Sequence, residues 1–185
     1  MFIAYLGLGS NEGDRWAHLQ AALQGVDAHD TLWVEDASPV YASAAHTVLP
    51  DEEQPPYLNA VLCVRGDCSP EALLRTAHTV ERSEGRTRAA ERRWQPRPLD
   101  IDLLVVGRMT CETETLTLPH PRLGDRRFVL RPWADLAPNF VVPPPFDRSV
   151  QALLDQCPDD APLRRTDHRL DALIAEHSAP GGDSS

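Results

Sequence analysis

Two aspartates, Asp100 and Asp102, stand two residues apart within the apolar run LDIDLLVVG. On a strand both side chains would project from the same face, because successive side chains alternate between faces. Two carboxylates about 5 Å apart repel each other by roughly 3 kcal/mol at an effective dielectric constant of about 20, so a positive partner is expected. Oxygen ligands near phosphate suit Mg²⁺. A solvent-exposed pair, or carboxylates paired with arginines, is the alternative; the apolar neighbours favour the metal.

An arginine-rich segment precedes this pair. Within residues 82–97 the acidic residues are Glu84 and Glu91, and the arginines are Arg82, Arg86, Arg88, Arg92, Arg93 and Arg97. Guanidinium groups bind phosphate oxygens through paired hydrogen bonds, so several on one loop could close over a polyphosphate. A solvated charged loop is the alternative. The closeness of Arg97 to Asp100 favours the phosphate site.

Four more side chains could bind a ligand. His120 lies between two prolines, and an imidazole held in this way could donate to a phosphate or could have a structural role only. Tyr57 and Phe128 could hold a flat heterocycle between their rings, although most such aromatic residues pack in cores. Asn59 follows Tyr57 by two residues, so on a strand its amide could bind the edge of that heterocycle.

The composition limits the classes of function. The chain has 185 residues, of which 42% are hydrophobic, and this is enough for one core. The net charge of -10 disfavours nucleic acid and anionic membrane as partners. All 18 basic residues are arginines, which excludes a phosphate-loop lysine and Schiff-base chemistry.

The same sequence indicates where the protein works. No apolar run is long enough to span a membrane, and the first residues lack the features of a secretion signal, so a cytoplasmic location is expected. The cysteines are not spaced as metal ligands, and we expect them to be reduced. They are Cys63, Cys68, Cys111 and Cys157.

Apolar spacing predicts the elements that position these residues. Residues 2–10 form an apolar run that ends in a turn, which indicates a buried strand. Apolar residues at helical spacing over residues 16–26 predict the first helix. Residues 32–41 and 57–65 are expected to be neighbouring antiparallel strands, joined by a long loop over residues 42–56.

A second helix and a further strand complete this pattern. Ser69 is a good capping residue, Pro70 suits the first helical position, and Gly85 can end the helix. Residues 99–107 then predict the strand that carries the two aspartates. The order of strand, helix, strand, strand, helix, strand predicts an α+β fold, a ferredoxin-like sandwich whose mostly antiparallel sheet has helices packed on one face.

The rest of the chain predicts a less regular region. Residues 115–138 indicate a short strand, a rigid turn and a short helical segment. We expect one catalytic domain over residues 1–147 and a C-terminal extension over residues 148–185. The extension is predicted to hold a short helix around Leu170 and Leu173 and a disordered end.

Several motifs in a fixed order, from near Ala4 to about Pro138, resemble the 6-hydroxymethyl-7,8-dihydropterin pyrophosphokinase family of folate biosynthesis. The motifs are GLGSNEGDR, QPPYLNAV, the arginine-rich loop, RPLDIDLLVVG and LPHPRLGDRRFVLRPWADLAP. The resemblance implies a ferredoxin-like fold and an ATP-dependent diphosphokinase. Its reaction would transfer pyrophosphate from ATP to the pterin's hydroxymethyl group and release AMP. We expect a monomer that binds ATP and this pterin, with neither nucleic acid nor membrane as a partner.

The resemblance also implies roles for residues at matching positions. Two magnesium ions would be bound by Asp100 and Asp102. The catalytic group would comprise Arg86, Arg92, Arg97, Asp100 and Asp102. ATP would be bound by His78, Glu81, Arg88, Trp94, Arg97, Ile101, Thr117, His120 and Arg126. The pterin would be bound by Ser43, Tyr57, Asn59 and Phe128.

The chain departs from the family pattern in three places. Residues 42–45 read Ala-Ser-Ala-Ala where the family usually has threonine and proline, so the resemblance does not define that wall of the pterin pocket. Either Arg92 or Arg93 could take the loop role, and Gln95 stands where glycine is common. Thr115 replaces a basic residue of some relatives. The alternative functions are an RNA-binding ferredoxin-like module and a related nucleotide-dependent transferase.

Overall fold

The computed structural model describes residues 1–45, 54–86 and 96–170. The strands are β1 (Phe2–Ser10), β2 (Leu32–Ala37), β3 (Tyr41–Ser43), β4 (Tyr57–Gly66), β5 (Asp100–Val106), β6 (Cys111–Glu112), β7 (Thr117–Leu118), β8 (Val141–Val142), β9 (Arg148–Ser149) and β10 (Leu163–Arg165). The α-helices are α1 (Arg15–Asp27), α2 (Pro70–Ser83), α3 (Arg127–Leu136) and α4 (Val150–Asp155), and a 3₁₀ turn covers Leu123–Asp125.

Six of these strands form the main sheet. Its order is β10-β3-β4-β1-β5, and β2 also pairs with β4. All neighbouring strands are antiparallel, with β1 central between β4 and β5. The predicted ferredoxin-like α+β fold is therefore confirmed. Two short hairpins, β6-β7 and β8-β9, lie outside this sheet.

The first two helices cover one face of the sheet. Helix α1 buries Leu19, Ala22, Leu23 and Val26 against alternate residues of β1 and β4. Helix α2 begins as predicted, because the Ser69 hydroxyl accepts from the backbone N–H of Ala72 and Pro70 has no N–H that would need an acceptor. Gly85 follows the helix with φ of 91°, a conformation that glycine adopts without strain.

The opposite face of the sheet is also covered. Trp133 of α3 is fully buried against Tyr5 of β1, with ring centroids 5.0 Å apart. Leu153 and Leu154 of α4 join the same apolar cluster. The predicted covering of one face is provided by α1 and α2. Helices α3 and α4 cover the other face as well, because Tyr5 of β1 and Val61 and Cys63 of β4 belong to a second apolar cluster there.

The C-terminal extension packs onto the rest of the chain. Strand β10 pairs with β3, and His168 stacks on Trp16 with ring centroids 4.6 Å apart. Leu170 lies in a bend and is buried in the core beside α1, whereas Leu173 and the predicted disordered end lie outside the described residues. The division at residues 147 and 148 stays a prediction.

The predicted loop over residues 42–56 is shorter than expected. Strand β3 includes Ala42 and Ser43, because Ser43 pairs with Tyr57 and Ala42 pairs with Leu58 of β4. Residues 46–53 lie outside the described part of the chain. Among the helices that the structure describes, none is long and apolar enough to cross a bilayer.

Candidate functional site

Two cavities meet where β1, β4 and β5 approach the start of α3. The apolar cavity is lined by Gly9, Ser43, Asn59, Val129 and Leu163 among others. The charged cavity has a volume of about 620 Å³ and is lined by Arg97, Arg122, Asp125 and Arg126 among others. Both cavities share Tyr57, Asp100, Asp102, Phe128 and Asp159. The two cavities are therefore adjacent, and ligands bound in them would lie side by side.

Asp100 and Asp102 lie on the same face of β5, as predicted. Ile101 between them is buried on the other face, in the core beneath α1 and α2. The two carboxylate side chains keep 27% and 31% of their surface exposed. Both are thus held by a rigid strand and remain accessible from the cavities.

Arginines pair with both carboxylates in this structure. Asp100 receives hydrogen bonds from Arg86 on Oδ1 and from Arg97 on Oδ2, the latter at 3.0 Å. Arg126 donates to Oδ2 of Asp102 at 2.5 Å. The alternative of arginine-paired carboxylates is therefore realised here. Oδ1 of Asp102 accepts no hydrogen bond from the described residues, so one oxygen is available to a ligand.

A buried acid holds Arg86 in place. Oε1 of Glu81 accepts from Arg86 Nη1 at 2.5 Å and from the backbone N–H of Ile101 at 2.8 Å. Glu81 is fully buried and Arg86 is almost so. Because buried charges are costly unless paired, this contact fixes α2, the start of the arginine-rich segment and β5 relative to one another.

Hydrogen bonds between Asn11 and the backbone of Arg97 hold Arg97 in place. The donors of the Arg97 side chain remain available for other partners. The backbone N–H of Arg97 donates to Oδ1 of Asn11 at 2.9 Å, and the Asn11 N–H donates to the Arg97 carbonyl at 3.2 Å. Arg97 Nε is buried and has no hydrogen-bond partner in the described structure. The guanidinium therefore has donor capacity beyond its bond to Asp100.

His120 faces Asp102 as a neutral imidazole. Burial lowers the pKa of His120, the charge of Asp102 opposes this shift, and Arg126 and Arg122 add to it. Nδ1 accepts from the backbone N–H of Arg122 at 3.2 Å, which places the ring proton on Nε2, 3.9 Å from Asp102 Oδ2. His120 lines neither cavity, but it can donate one hydrogen bond in the direction of Asp102, which lines both.

The apolar cavity carries one amide edge. Asn59 is buried, and its Nδ2 donates to Ser43 Oγ at 3.0 Å and to the Tyr41 carbonyl at 3.4 Å. Its Oδ1 has no partner among the described residues. This oxygen faces Gly9, since a Cβ atom built on Gly9 would lie 3.8 Å from it. The cavity therefore offers a fixed acceptor on an apolar wall, which suits the N–H edge of a flat heterocycle.

Tyr57 and Phe128 both line the two cavities, on β4 and α3 respectively. They are far apart in sequence and are brought together because α3 packs on the face of the sheet opposite α1 and α2. The guanidinium of Arg126 lies 5.9 Å from the centroid of the Phe128 ring. A cation and two aromatic faces thus stand at the boundary between the cavities.

Other predicted site residues are placed differently. His78 lies on α2 and lines neither cavity, the Ile101 side chain is in the core, and Thr117 lines a separate cavity of about 540 Å³. The predicted residues that lie outside the described part of the chain are Arg88, Arg92 and Trp94. Their roles stay predictions.

Several residues that line or support the cavities were not singled out from the sequence, among them Gly9, Asn11 and Asp159. Gly9 and Asn11 belong to the run GLGSNEGDR, and a glycine inside a strand is a known sign of close approach by a ligand. Asp159 gave no such sign, because its position depends on how the extension packs. The sequence pattern could therefore have found the first two only.

The two aspartates fit Mg²⁺ when phosphate oxygens complete the shell. Their donors are carboxylate oxygens, which Mg²⁺ prefers, and the ion commonly uses one or two protein carboxylates together with substrate phosphates and water. Within the described residues no group of three or more histidine, cysteine, aspartate or glutamate side chains is arranged to hold a metal. The chain alone thus offers a partial site, which matches this mode of binding.

Comparison with known proteins gives a consistent picture. The family model of 7,8-dihydro-6-hydroxymethylpterin-pyrophosphokinase (HPPK) matches residues 5–138. The 2-amino-4-hydroxy-6-hydroxymethyldihydropteridine pyrophosphokinase of Bacillus subtilis is 38% identical over 134 residues, which cover 72% of this chain and 77% of the relative. The protein of the same name from Methylorubrum extorquens is 38% identical over 154 residues, which cover 82% of this chain and 93% of that protein.

Solved structures share the fold at lower identity. The crystal structure of an HPPK-DHPS in complex with substrates gives a TM-score of 0.63 at 11% identity and covers 83% of this chain. Wild-type Plasmodium falciparum HPPK-DHPS with SDX-DHP gives 0.61 at 14% identity and covers 84% of this chain. The present chain spans 43% of each of these longer chains, so the likeness concerns the shared fold.

Proposed function

The chain belongs to the 7,8-dihydro-6-hydroxymethylpterin-pyrophosphokinase family, and we propose that it catalyses the reaction of that family. It transfers pyrophosphate from ATP to the hydroxymethyl group of 6-hydroxymethyl-7,8-dihydropterin. The products are AMP and the pterin diphosphate, an intermediate of folate biosynthesis. The enzyme is thus an ATP-dependent diphosphokinase.

One observation carries this proposal: an apolar cavity and a charged cavity share Asp100 and Asp102. The apolar cavity suits the flat pterin, with Asn59 as acceptor and Tyr57 and Phe128 as aromatic walls. The charged cavity suits the polyphosphate. With the substrates bound in this way, the hydroxymethyl group of one would lie beside the phosphates of the other.

Charge compensation in the charged cavity comes from the arginines. Arg97 and Arg126 line this cavity, and Arg86 donates a hydrogen bond to Asp100, which also lines it. Bidentate guanidinium contacts would neutralise the triphosphate, and the neutral His120 would donate to a phosphate oxygen. Asp100 and Asp102 would hold Mg²⁺, two ions in our proposal, which supplies further neutralisation of phosphate charge when bound.

The transfer itself depends mainly on positioning. The pterin hydroxyl oxygen attacks the β-phosphorus in line, a new P–O bond forms, and the bond from that phosphorus to the α,β-bridging oxygen breaks as AMP leaves. The hydroxyl proton is released to solvent during the attack. The residues of this chain therefore act by aligning the two substrates and stabilising charge.

Product analysis tests the proposal directly. The protein would be mixed with ATP, Mg²⁺ and 6-hydroxymethyl-7,8-dihydropterin, and the products identified by mass spectrometry. We expect AMP and pterin diphosphate in equal amounts. Formation of ADP with a pterin monophosphate, or the absence of any pterin product, would contradict the assignment.

The remaining expectations form part of the same proposal. The enzyme acts as a monomer in the cytoplasm, where ATP is available, and has no nucleic-acid partner. An RNA-binding module is not favoured, because the family and its named relatives are pyrophosphokinases. A gel-shift assay that showed tight binding to single-stranded RNA would reopen that alternative.

A further inference from the structure

Residues that follow the family-matched region, which ends at residue 138, line part of the apolar cavity and part of the charged cavity. Asp159, Ala161 and Leu163 line the apolar cavity. Pro158 and Asp159 line the charged cavity. The segment 158–163, which we call the closing segment, therefore forms one wall at the boundary where both substrates would meet.

Asp159 ties this segment to helix α3. Its Oδ2 accepts from the backbone N–H of Arg127 at 3.1 Å, and its Oδ1 accepts from the N–H of Ala161 at 3.0 Å. The residue at the helix cap, Arg126, makes no capping bond with its own side chain. Because the first N–H groups of a helix lack partners within it, the carboxylate of Asp159 supplies an acceptor that the local sequence does not.

The hydrogen bond between Asp159 and the Arg127 N–H lies beside two residues of the candidate site. Arg127 stands between Arg126, which pairs with Asp102, and Phe128, which lines both cavities. A carboxylate that fixes the Arg127 backbone therefore fixes the positions from which both neighbours project. Asp159 also lines both cavities itself, so it is close to where the pterin would lie.

Strand β10 fixes the other end of the closing segment. Leu163 pairs with Ser43 across the β10-β3 ladder, beside the hydroxyl that accepts from Asn59. Leu163 is half-buried and lines the apolar cavity. Its side chain consequently limits the cavity on the side of residues 42–45, where the chain departs from the family pattern.

We infer that the closing segment completes the pterin pocket, with Asp159 as a positioning residue for Phe128 and Arg126 and with Leu163 as a wall that limits the size of the acceptor. The inference rests on the proposed function and deepens it. It assigns acceptor binding to residues outside the matched family region. ATP binding should depend on Leu163 far less, because Leu163 lines only the apolar cavity.

Matched variants test the role of Asp159. Asp159→Ala removes both accepted hydrogen bonds, Asp159→Asn retains one acceptor oxygen, and Asp30→Ala makes the same charge change at an exposed residue that lines neither cavity. We expect Asp159→Ala to raise KM for the pterin roughly five- to tenfold, as for loss of a helix cap. KM for ATP should rise by a smaller factor, because Arg126 also lines the charged cavity. Asp159→Asn should recover part of the loss, and Asp30→Ala should match wild type.

Leu163→Phe provides an independent test that does not depend on the carboxylate. The larger ring should fill part of the apolar cavity and raise KM for the pterin selectively, with little change in melting temperature. A pterin-selective effect in either variant supports the inference. Pterin KM values within twofold of wild type in both variants, or equal increases for the pterin and ATP, would overturn it. Failure of the wild-type protein itself to form pterin diphosphate would instead contradict the proposed function.

Discussion

Arg126 Nη1 lies 2.5 Å from Oδ2 of Asp102, so the residue that precedes helix α3 is joined to the acid on β5. The same arginine lies over the ring of Phe128. A single guanidinium thus connects Asp102 with Phe128, an aromatic wall of the apolar cavity. Substitution of either Asp102 or Phe128 should therefore alter the rate of the reaction.

Replacing Asp102 should abolish turnover while the fold persists. Asp102→Ala removes a carboxylate that the proposal assigns to magnesium, and loss of a charge-stabilising group of this kind typically lowers kcat by about 10²–10³-fold or more. Its side chain is partly exposed, so the melting temperature should change little. Steady-state kinetics and thermal melting would be measured beside Asp30→Ala, at an exposed residue, as a control. Near-normal activity in Asp102→Ala would argue against the metal role.

Gly9→Ala should weaken pterin binding without harming the fold. An added Cβ would meet Tyr57 Cδ1 at 3.7 Å, Asn59 Oδ1 at 3.8 Å and Asp100 Cβ at 4.0 Å, all ordinary van der Waals distances. The methyl group would nevertheless occupy the floor of the apolar cavity. Isothermal titration should show weaker pterin binding, and ATP binding serves as the internal reference. Unchanged pterin affinity would show that the ring does not reach this floor.

Glu81→Gln should destabilise the protein. The change removes a fully buried charge that pairs with Arg86 and leaves that arginine with less compensation. The expected loss in free energy of unfolding is about 1–3 kcal/mol, because the amide can still accept one hydrogen bond. Urea unfolding would measure it, with Glu112→Gln on the exposed hairpin as the matched control. Equal midpoints for the two variants would contradict the buried ion pair.

Cys63 should be the slowest cysteine to react with a thiol reagent. Burial, aided by the charge of Glu35, raises the pKa of its thiol to about 11. At pH 8 only about 0.1% would be thiolate, the form that reacts. Because this pKa exceeds the unfolded value, the contribution to stability is present below about pH 9 and is lost as the pH rises towards 11. Iodoacetamide labelling followed by peptide mass spectrometry should show slow labelling of Cys63 in the native state and labelling of all four cysteines in urea.

Local sequence signals predicted much of the fold. Apolar spacing located α1, the Ser69-Pro70 pair located the start of α2, and alternation placed Asp100 and Asp102 on one face of β5. Each of these signals depends on residues within one turn or one strand. Features of this kind are set by neighbours in the chain, so a single sequence reveals them.

Features that depend on packing between distant segments could not be predicted in this way. Helix α3 covers the second face of the sheet because residues such as Tyr5 of β1 and Val61 of β4 form an apolar surface there. The arginine partners of the two aspartates depend on how α2 and α3 meet β5. The contact between Asp159 and Arg127 joins residues 32 positions apart, with no pattern in either segment to announce it.

The pairing of β10 with β3 has a consequence for synthesis of the protein. A nascent chain that has emerged only through residue 138 contains the whole family-matched region and both aspartates, yet it lacks the strand that borders Ser43. Both cavities can therefore be complete only after residues 158–163 have left the ribosome. Competence to bind ligands there would be acquired late in synthesis.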